Sequence, residues 1–511
     1  MTIITGSTQK IQQGSAVVQY LAAFTGLGTT IALEKVFNVD VVPSPSGPTL
    51  FRTHQLEHES LATRTLNIIT SGMHYGWPSP SLPKLLNGSS PVAVTNDEGS
   101  WMAVMPLLGA LLGSLIVGTT VDIFGRKRTI LISSLPFFTA WMMVAFAPSV
   151  TVIYVARFIA GVADGWVFTA MPMYIGEIAD PRIRGLLGSG VSVTWIFGIL
   201  LINVIGSYLS ITVAALVSSC LPLIAMGSFA FMPESPYYLL MRGNAEEAKR
   251  SLQRFRGLSD VDAELNRVTF AIRAQNKNAG KFLDLFRNKV NRRAVLIMMI
   301  LRGAQQLSGT TAVTFYAQSI FIEAGDHISS EVATIIYFGV QLTLACFCSS
   351  IVDKAGRRPL LIASITGSAL FLFMEGAYFY IKACTHWNVE AFTLVPVIGL
   401  IGFVVVFSLG MQTIPILMLG ELFSSNVKAF ALCLADIYFS IIATVVSKFF
   451  QIMKDSFGMY TPFFAFSFSC LVGLVLIVLF VPETKGKTLE DIQASLSEQS
   501  EPTSQEASNL S

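Results

Sequence analysis

The residues best equipped for chemistry fall in one stretch, Gln305–Phe321, QQLSGTTAVTFYAQSIF. Gln305, Gln306, Ser308, Thr310, Thr311, Thr314 and Tyr316 put amides, hydroxyls and a phenol inside the apolar run Ala294–Ile322. That run is long enough to cross a bilayer. An unpaired amide or hydroxyl costs about 4–8 kcal/mol in an alkane-like medium. These groups must therefore face other helices or a wet cavity. Read as one helix, Gln305, Gly309, Ala312 and Tyr316 share a narrow face. Such a face offers hydrogen bonds and no nucleophile. It suits reversible recognition of a polyhydroxylated solute. Polar glue between helices is the other reading of the same residues.

A second set carries charge at the ends of apolar runs: Asp122, Arg126, Glu177, Arg184, Glu234, Asp353, Arg357, Glu421 and Glu483. Simple topology is one account, because charges gather where helices leave the lipid. A breakable latch between two halves is the other. Exposed ion pairs contribute only about 0.2–1 kcal/mol each, so several together bias a two-state equilibrium without freezing it.

The elements that must position these residues follow from composition and order. The chain has 511 residues, 52% hydrophobic and 13% charged, with mean hydropathy +0.61. A soluble domain averages about 25% charged residues, so this is a polytopic, all-α membrane protein. A net charge of +2 argues against a nucleic-acid partner. Of six cysteines, only Cys384 falls in an expected outer loop, so neither a disulfide framework nor a metal site is expected. The start of the chain lacks the pattern of a cleavable signal peptide.

Residues 1–16 read as a polar tail. An N-terminal half runs from 17 to 240, a linker from 241 to 293, a C-terminal half from 294 to 483 and a polar tail from 484 to 511. Within the first half, Val17–Leu33 is apolar and Glu34–Arg64 is polar, before apolar character resumes at LNIITSGMHYGW. A helix interrupted by so long a polar piece cannot cross as one rod. An inserted segment is the favoured reading; removing it joins QYLAAFTGLG to IITSGMHYGW. A broken helix is the alternative. Later spans lie near 99–121, 129–147, 150–175, 186–209, 211–232, 294–322, 331–351, 359–381, 394–419, 429–452 and 461–481. The total is twelve.

The twelve divide into two sixes that repeat. Spans 2 and 8 end in Asp122/Gly125-Arg126-Lys127 and Asp353/Gly356-Arg357-Arg358. Spans 4 and 10 end in Glu177 and Glu421, and spans 6 and 12 in Pro233-Glu234-Ser235 and Pro482-Glu483-Thr484. The linker carries thirteen Lys and Arg against six acids. That excess places it, and both termini, in the cytoplasm. Asn87-Gly88-Ser89 is then an outward glycosylation sequon. Trp77, Trp101 and Trp387 sit near expected interfaces and read as anchors. Asp164 and Asp436 lie deep in apolar runs and read equally as functional groups or as buried, paired ones. Glu375 reads as snorkelling from the outer end of span 9.

QQLSG followed by Tyr316 and an Ile-Phe pair closely resembles the seventh helix of the sugar porters of the major facilitator superfamily. The resemblance extends from about Gly72 to Ile492. It implies the major facilitator fold, with twelve transmembrane helices in two six-helix halves. It also implies a sugar site built from spans 5, 7, 8, 10 and 11, and a gating role for the charged ends. Gln305, Gln306 and Tyr316 match the family pattern. Thr311 and Gln341 stand where the family has asparagine, and Ser192 where it has glutamine. In span 10 the family's GPIPW reads QTIPI, which brings in Gln412, keeps Pro415 and loses the tryptophan. In span 11 its Asn-Trp pair reads Phe439-Ser440. Lys428 replaces the arginine that follows GELF, keeping charge and losing the bidentate fork. Insect facilitated trehalose transporters are similar in the end of span 1 and in lacking the span 5 glutamine.

The implied function is facilitative transport of a hexose or a trehalose-like disaccharide by alternating access. The protein is then a monomer in the plasma membrane, with no cofactor and no enzymatic activity. His74 aligns with a position where proton-coupled porters have aspartate, which makes it a candidate proton site; a neutral histidine lining the cavity is the favoured reading. A proton symporter and a non-transporting sugar sensor on the same fold remain as alternatives. No nucleotide cradle is readable, which argues against ATP drive.

Overall fold

The computed structural model describes residues 65–88, 92–178, 184–256, 260–277, 282–325, 328–385, 392, 394–423, 427–487 and 491–492. Residues 1–64, and with them the polar segment 34–64, lie outside the described residues, as do Ser89, Trp387 and most of the C-terminal tail.

Ten described helices are long and apolar enough to cross a membrane. They include α3 (Asn96–Phe124), α4 (Arg126–Ala145), α5 (Val150–Ile178), α6 (Arg184–Tyr208) and α7 (Ile211–Phe229). After the linker come α14 (Ser330–Ala355), α15 (Arg357–Cys384), the pair α16 (Val395–Leu409) and α17 (Ile414–Leu422), α18 (Lys428–Phe457) and α19 (Tyr460–Phe480). Two more crossings complete the twelve. Crossing 1 is α1 (65–76) continued by α2 (Pro78–Leu86). At about 1.5 Å per residue, the helical stretch from 65 to 86 spans roughly 32 Å, enough to cross by itself. The join to QYLAAFTGLG is therefore not needed to fill this crossing. Crossing 7 is α12 (Lys289–Leu307) followed by α13 (Thr310–Ala324).

The linker forms α8 (Pro236–Met241), α9 (Ala245–Arg256), α10 (Asp262–Lys277) and α11 (Asp284–Arg287). Arg256 holds it down, with a two-nitrogen fork on Glu264 at 3.1 and 2.8 Å and a third bond to the Ile178 carbonyl at 2.9 Å. The membrane face that carries these helices is called the linker face; the opposite one is the far face.

Within the first half, crossings 2 and 4 touch backbone to backbone. A Cβ on Gly161 would stand 2.1 Å from the Pro106 carbonyl, and one on Gly109 2.2 Å from the Phe158 carbonyl. Close approach over small residues replaces the hydrophobic effect as the cohesive force between helices in lipid. Two apolar clusters fill this half, one around Phe137, Tyr174 and Phe229, the other around Trp77, Trp141 and Ile202. A larger cluster fills the second half around Phe315, Phe403 and Phe450, and reaches Tyr75 and Ile199 of the first.

Glu375 does not snorkel. It is 1% exposed, on α15, and neither carboxylate oxygen has a hydrogen-bond partner. Trp77 is likewise buried, beneath the guanidinium of Arg157, and is no interface anchor. The six cysteines are free thiols.

Candidate functional site

Crossing 7 is not the single rod its hydropathy predicts. It breaks at Ser308-Gly309, where Gly309 takes φ +81°. A Cβ there would strain the backbone and stand 2.2 Å from the Phe466 ring. Gln305 and Gln306 thus end one half-helix, and Thr311 and Tyr316 begin the next. The continuous face from Gln305 to Tyr316 does not exist. Crossing 10 breaks as well, at Gly410–Thr413 between α16 and α17.

Gln305 joins the two breaks. Its Nε2 donates to the carbonyls of Met411 at 2.8 Å and Gln412 at 3.1 Å. Its Oε1 accepts from Arg302 Nη1 at 3.0 Å. Both ends of this amide are committed, so Gln305 shapes the site more than it offers a free hand to a solute. The Gln412 side chain accepts from Ser408 at 2.9 Å and, more loosely, from Gln341 Nε2 at 3.4 Å. That leaves Gln341 Oε1 buried without a partner.

Gln306 leads across the halves. Its Oε1 accepts from Thr311 Oγ1 at 2.6 Å, and Thr311 Oγ1 lies 2.9 Å from Tyr75 Oη. The threonine proton is spent on Gln306, so Tyr75 is the donor in the second bond. The Tyr75 ring meets Trp195 of α6 and Phe315 of α13, each with centroids 4.8 Å apart. Tyr316 stacks on Phe450 at 5.0 Å, with its hydroxyl buried and unpartnered. Ser192 is exposed on α6, one turn before Trp195, whose ring meets Tyr75.

His74 does not line a cavity. Its ring is fully buried between Trp141 and Phe137 of α4, at centroid distances of 4.0 and 5.4 Å. Its carbonyl instead accepts from Arg157 Nη1 at 2.5 Å. Arg157, buried on α5, also bonds the Met102 carbonyl at 3.3 Å and stacks over Trp77. Sequence reasoning passed over Tyr75 and Arg157. The signal for Arg157 was present, as a lone cation inside an apolar run. Tyr75 stood beside a histidine that drew the attention. Asp164 is buried with Oδ1 unpartnered.

The charged ends form two matching clusters on the linker face. In the first half Arg126 binds Asp122 and Glu177, each at 3.0 Å, and Ser235 bonds the other Glu177 oxygen. Glu234 accepts the backbone N–H of Lys127 at 3.0 Å. In the second half Arg357 binds Glu421 at 3.1 Å, and Thr484 bonds the other Glu421 oxygen at 2.5 Å. Glu483 accepts the N–H groups of Arg357 and Arg358 at 3.1 and 2.9 Å. Burial alone would raise the Glu483 pKa, but N–H donors from Lys485, Arg358, Arg357 and Thr484 outweigh it and hold the carboxyl below its usual range. Lys428 donates to the Gly420 carbonyl at 3.2 Å, one step from Glu421. Among the described residues these ion pairs lie within each half. The side chains of Arg184 and Asp353 lie outside the described residues. The described polar ties between halves sit elsewhere: Tyr75 to Thr311, and Lys448 of α18 to Asp97 and Ser100 of α3 at the far face.

Twelve crossings, with breaks in crossings 7 and 10 joined by a hydrogen-bonded amide that Arg302 supports, define a polytopic membrane transporter. The family model of the sugar (and other) transporters matches residues 59–496, and the chain belongs to that family. It is 33% identical over 426 residues to a facilitated trehalose transporter Tret1 of Bombyx mori, covering 83% of this chain and 84% of that one. A Tret1 of Culex quinquefasciatus is 33% identical over 434 residues, covering 84% and 83%. Among solved structures, the inward-open xylose transporter XylE of E. coli superimposes with a TM-score of 0.71 at 22% identity, covering 86% of this chain and 99% of that one. That likeness speaks for the major facilitator fold.

Proposed function

We propose that this transporter moves an uncharged sugar, a hexose or a trehalose-like disaccharide, down its gradient by alternating access across the plasma membrane. The observation that carries the reading is the Gln305 amide, which bridges the broken crossings 7 and 10. Helix breaks expose backbone carbonyls at mid-membrane, where a hydroxylated solute can use them. Around that bridge, Gln306, Thr311, Tyr316, Gln341 and Gln412 hold the remaining polar groups, and the unpartnered Tyr316 hydroxyl and Gln341 carbonyl are the natural first contacts. The trehalose reading is supported by the relatives' names. The linker-face clusters keep each half rigid as it rocks. With the linker face cytoplasmic, both termini are cytoplasmic, and exposed Asn87 at the end of α2 is an outward glycosylation site. The transporter works as a monomer in the bilayer.

Uptake of labelled glucose and trehalose into proteoliposomes, with and without a pH gradient, tests this. Saturable uptake that ignores pH supports the uniporter. Acid-stimulated uptake lost in His74→Ala overturns it in favour of proton coupling, and binding without flux overturns it in favour of a sensor.

A further inference from the structure

The sugar site described above has one charged neighbour that the reading leaves unused. Asp436 lies on α18, on the face shared by Ala443, Ser447 and Phe450, which are all fully buried. The exposed Ile441 and Val445 mark the opposite, lipid-facing side. Yet the Asp436 side chain is 44% exposed. Leu432, one turn nearer the linker face on the same side, is exposed as well, and on this inward-turned side we take the exposure to be to the space between the halves. Its place along the helix is also set. Eight residues separate it from Lys428, about 12 Å at 1.5 Å per residue, so it stands on the linker-face side of the Tyr316–Phe450 stack.

One carboxylate oxygen is held by Arg302 Nη2 at 3.3 Å. Both terminal nitrogens of Arg302 are committed, and its Nε is buried. The arginine is 7% exposed, its other terminal nitrogen is on Gln305, and its flat face covers Phe439 at 5.1 Å. The pair therefore presents to the cavity only its acidic end. A carboxylate has about four acceptor sites, and the arginine occupies one edge. The remaining edge fits two neighbouring hydroxyls of one solute, each donating to one oxygen. A solute with its own negative charge meets a like charge there and loses affinity.

We propose that Asp436 contacts the transported solute as a specificity-determining carboxylate. It selects uncharged polyhydroxylated solutes with adjacent hydroxyls over anionic ones. Arg302 is the positioning residue that aims both Asp436 and Gln305. The proposal rests on the sugar-transport reading: absence of any sugar flux in the unaltered chain would sink that reading, whereas the proposal is decided by selectivity among variants that do transport.

The test uses the full chain in proteoliposomes, with glucose flux competed by unlabelled glucose or by glucuronate. The unaltered protein binds glucuronate at least about tenfold more weakly than glucose. Asp436→Asn weakens glucose about tenfold, the loss expected for a hydrogen bond to a charged acceptor, and leaves glucuronate unweakened, so the discrimination collapses. Asp436→Glu, which keeps the charge, retains it. Arg302→Lys weakens glucose while glucuronate stays excluded. Where Asp436→Asn does not fold, Arg302→Gln with Asp436→Asn leaves no unpaired charge and carries the same comparison. A discrimination that survives Asp436→Asn, or both competitors weakened alike, overturns the proposal; the second result is what a merely structural role gives.

Discussion

Lys448 Nζ stands 2.8 Å from Asp97 Oδ1 and 2.7 Å from Ser100 Oγ, joining crossing 11 to crossing 2 across the two halves. The lysine also lies over the Trp101 ring at 4.3 Å, and α3 begins there with a Thr95/Glu98 capping box. Together with Tyr75–Thr311 this ties the halves toward the far face, while among the described residues the ion pairs of the linker-face clusters lie within their own halves. These two contacts hold the halves together on the far side.

Lys448→Ala therefore shifts the equilibrium toward opening at the far face. Asp97 is largely exposed, so the pair contributes about 0.2–1 kcal/mol. The reaction of a far-side thiol reagent with Thr311→Cys, in a chain lacking Cys220 and Cys384, is expected to quicken about two- to fivefold. An unchanged rate would remove the pair from closure.

Gln305→Ala strips three hydrogen bonds at once and leaves Arg302 and two backbone carbonyls short of partners. A buried group left unsatisfied costs about 1–3 kcal/mol. Sugar uptake per unit concentration should drop about tenfold to a hundredfold, and kinetics like those of the unaltered protein would show that the bridge is dispensable.

Gly309→Ala is a stability prediction. A left-handed backbone costs a residue with a Cβ about 1–3 kcal/mol, and here the methyl also collides with Phe466. The detergent-solubilised protein should melt at a lower temperature or fail to accumulate. An unaltered melting temperature would mean that the break at this point is not required.

Tyr75→Phe and Thr311→Val probe one hydrogen bond from its two ends. A double-mutant cycle on thermal unfolding should give a coupling of about 1 kcal/mol. Additive effects would place the two groups out of contact in solution.

Glu483 supplies a pH test. Its carboxyl is held below its usual range, so the ionised form stabilises the fold. That contribution is complete above the unfolded value of about 4.3 and is lost as pH falls through the lower, folded value. Glu483→Gln should melt below the unaltered protein at neutral pH, and the gap should close as pH drops below about 4. A gap that persists in acid would assign the effect to shape and not charge.

The repeated motifs made the architecture legible before any coordinates. Each half spells Gly-Arg, then a glutamate, then Pro-Glu-Ser/Thr, and the two clusters share an Arg–Glu pair, a hydroxyl on that glutamate and a second glutamate on backbone N–H groups. Hydropathy located the crossings because lipid forbids unsatisfied backbone, which leaves a long apolar helix few alternatives. The same measure missed the breaks at Gly309 and Gly410, since a helix and a broken helix have equal hydropathy. It also misjudged Glu375, because its pattern cannot tell a side chain reaching outward from one enclosed by neighbours.

What the chain's own order of residues determined is therefore the number of crossings, their pairing into halves and the polar inventory of crossing 7. These follow from local solvation, which each segment settles for itself. Which polar groups meet was decided only in three dimensions. Gln305 spends its amide on Met411 and Gln412, Tyr75 finds Thr311, and His74 turns away to Trp141. Hydrogen bonds select partners by angle and distance, and residues 75 and 311 acquire either only after the two halves have packed.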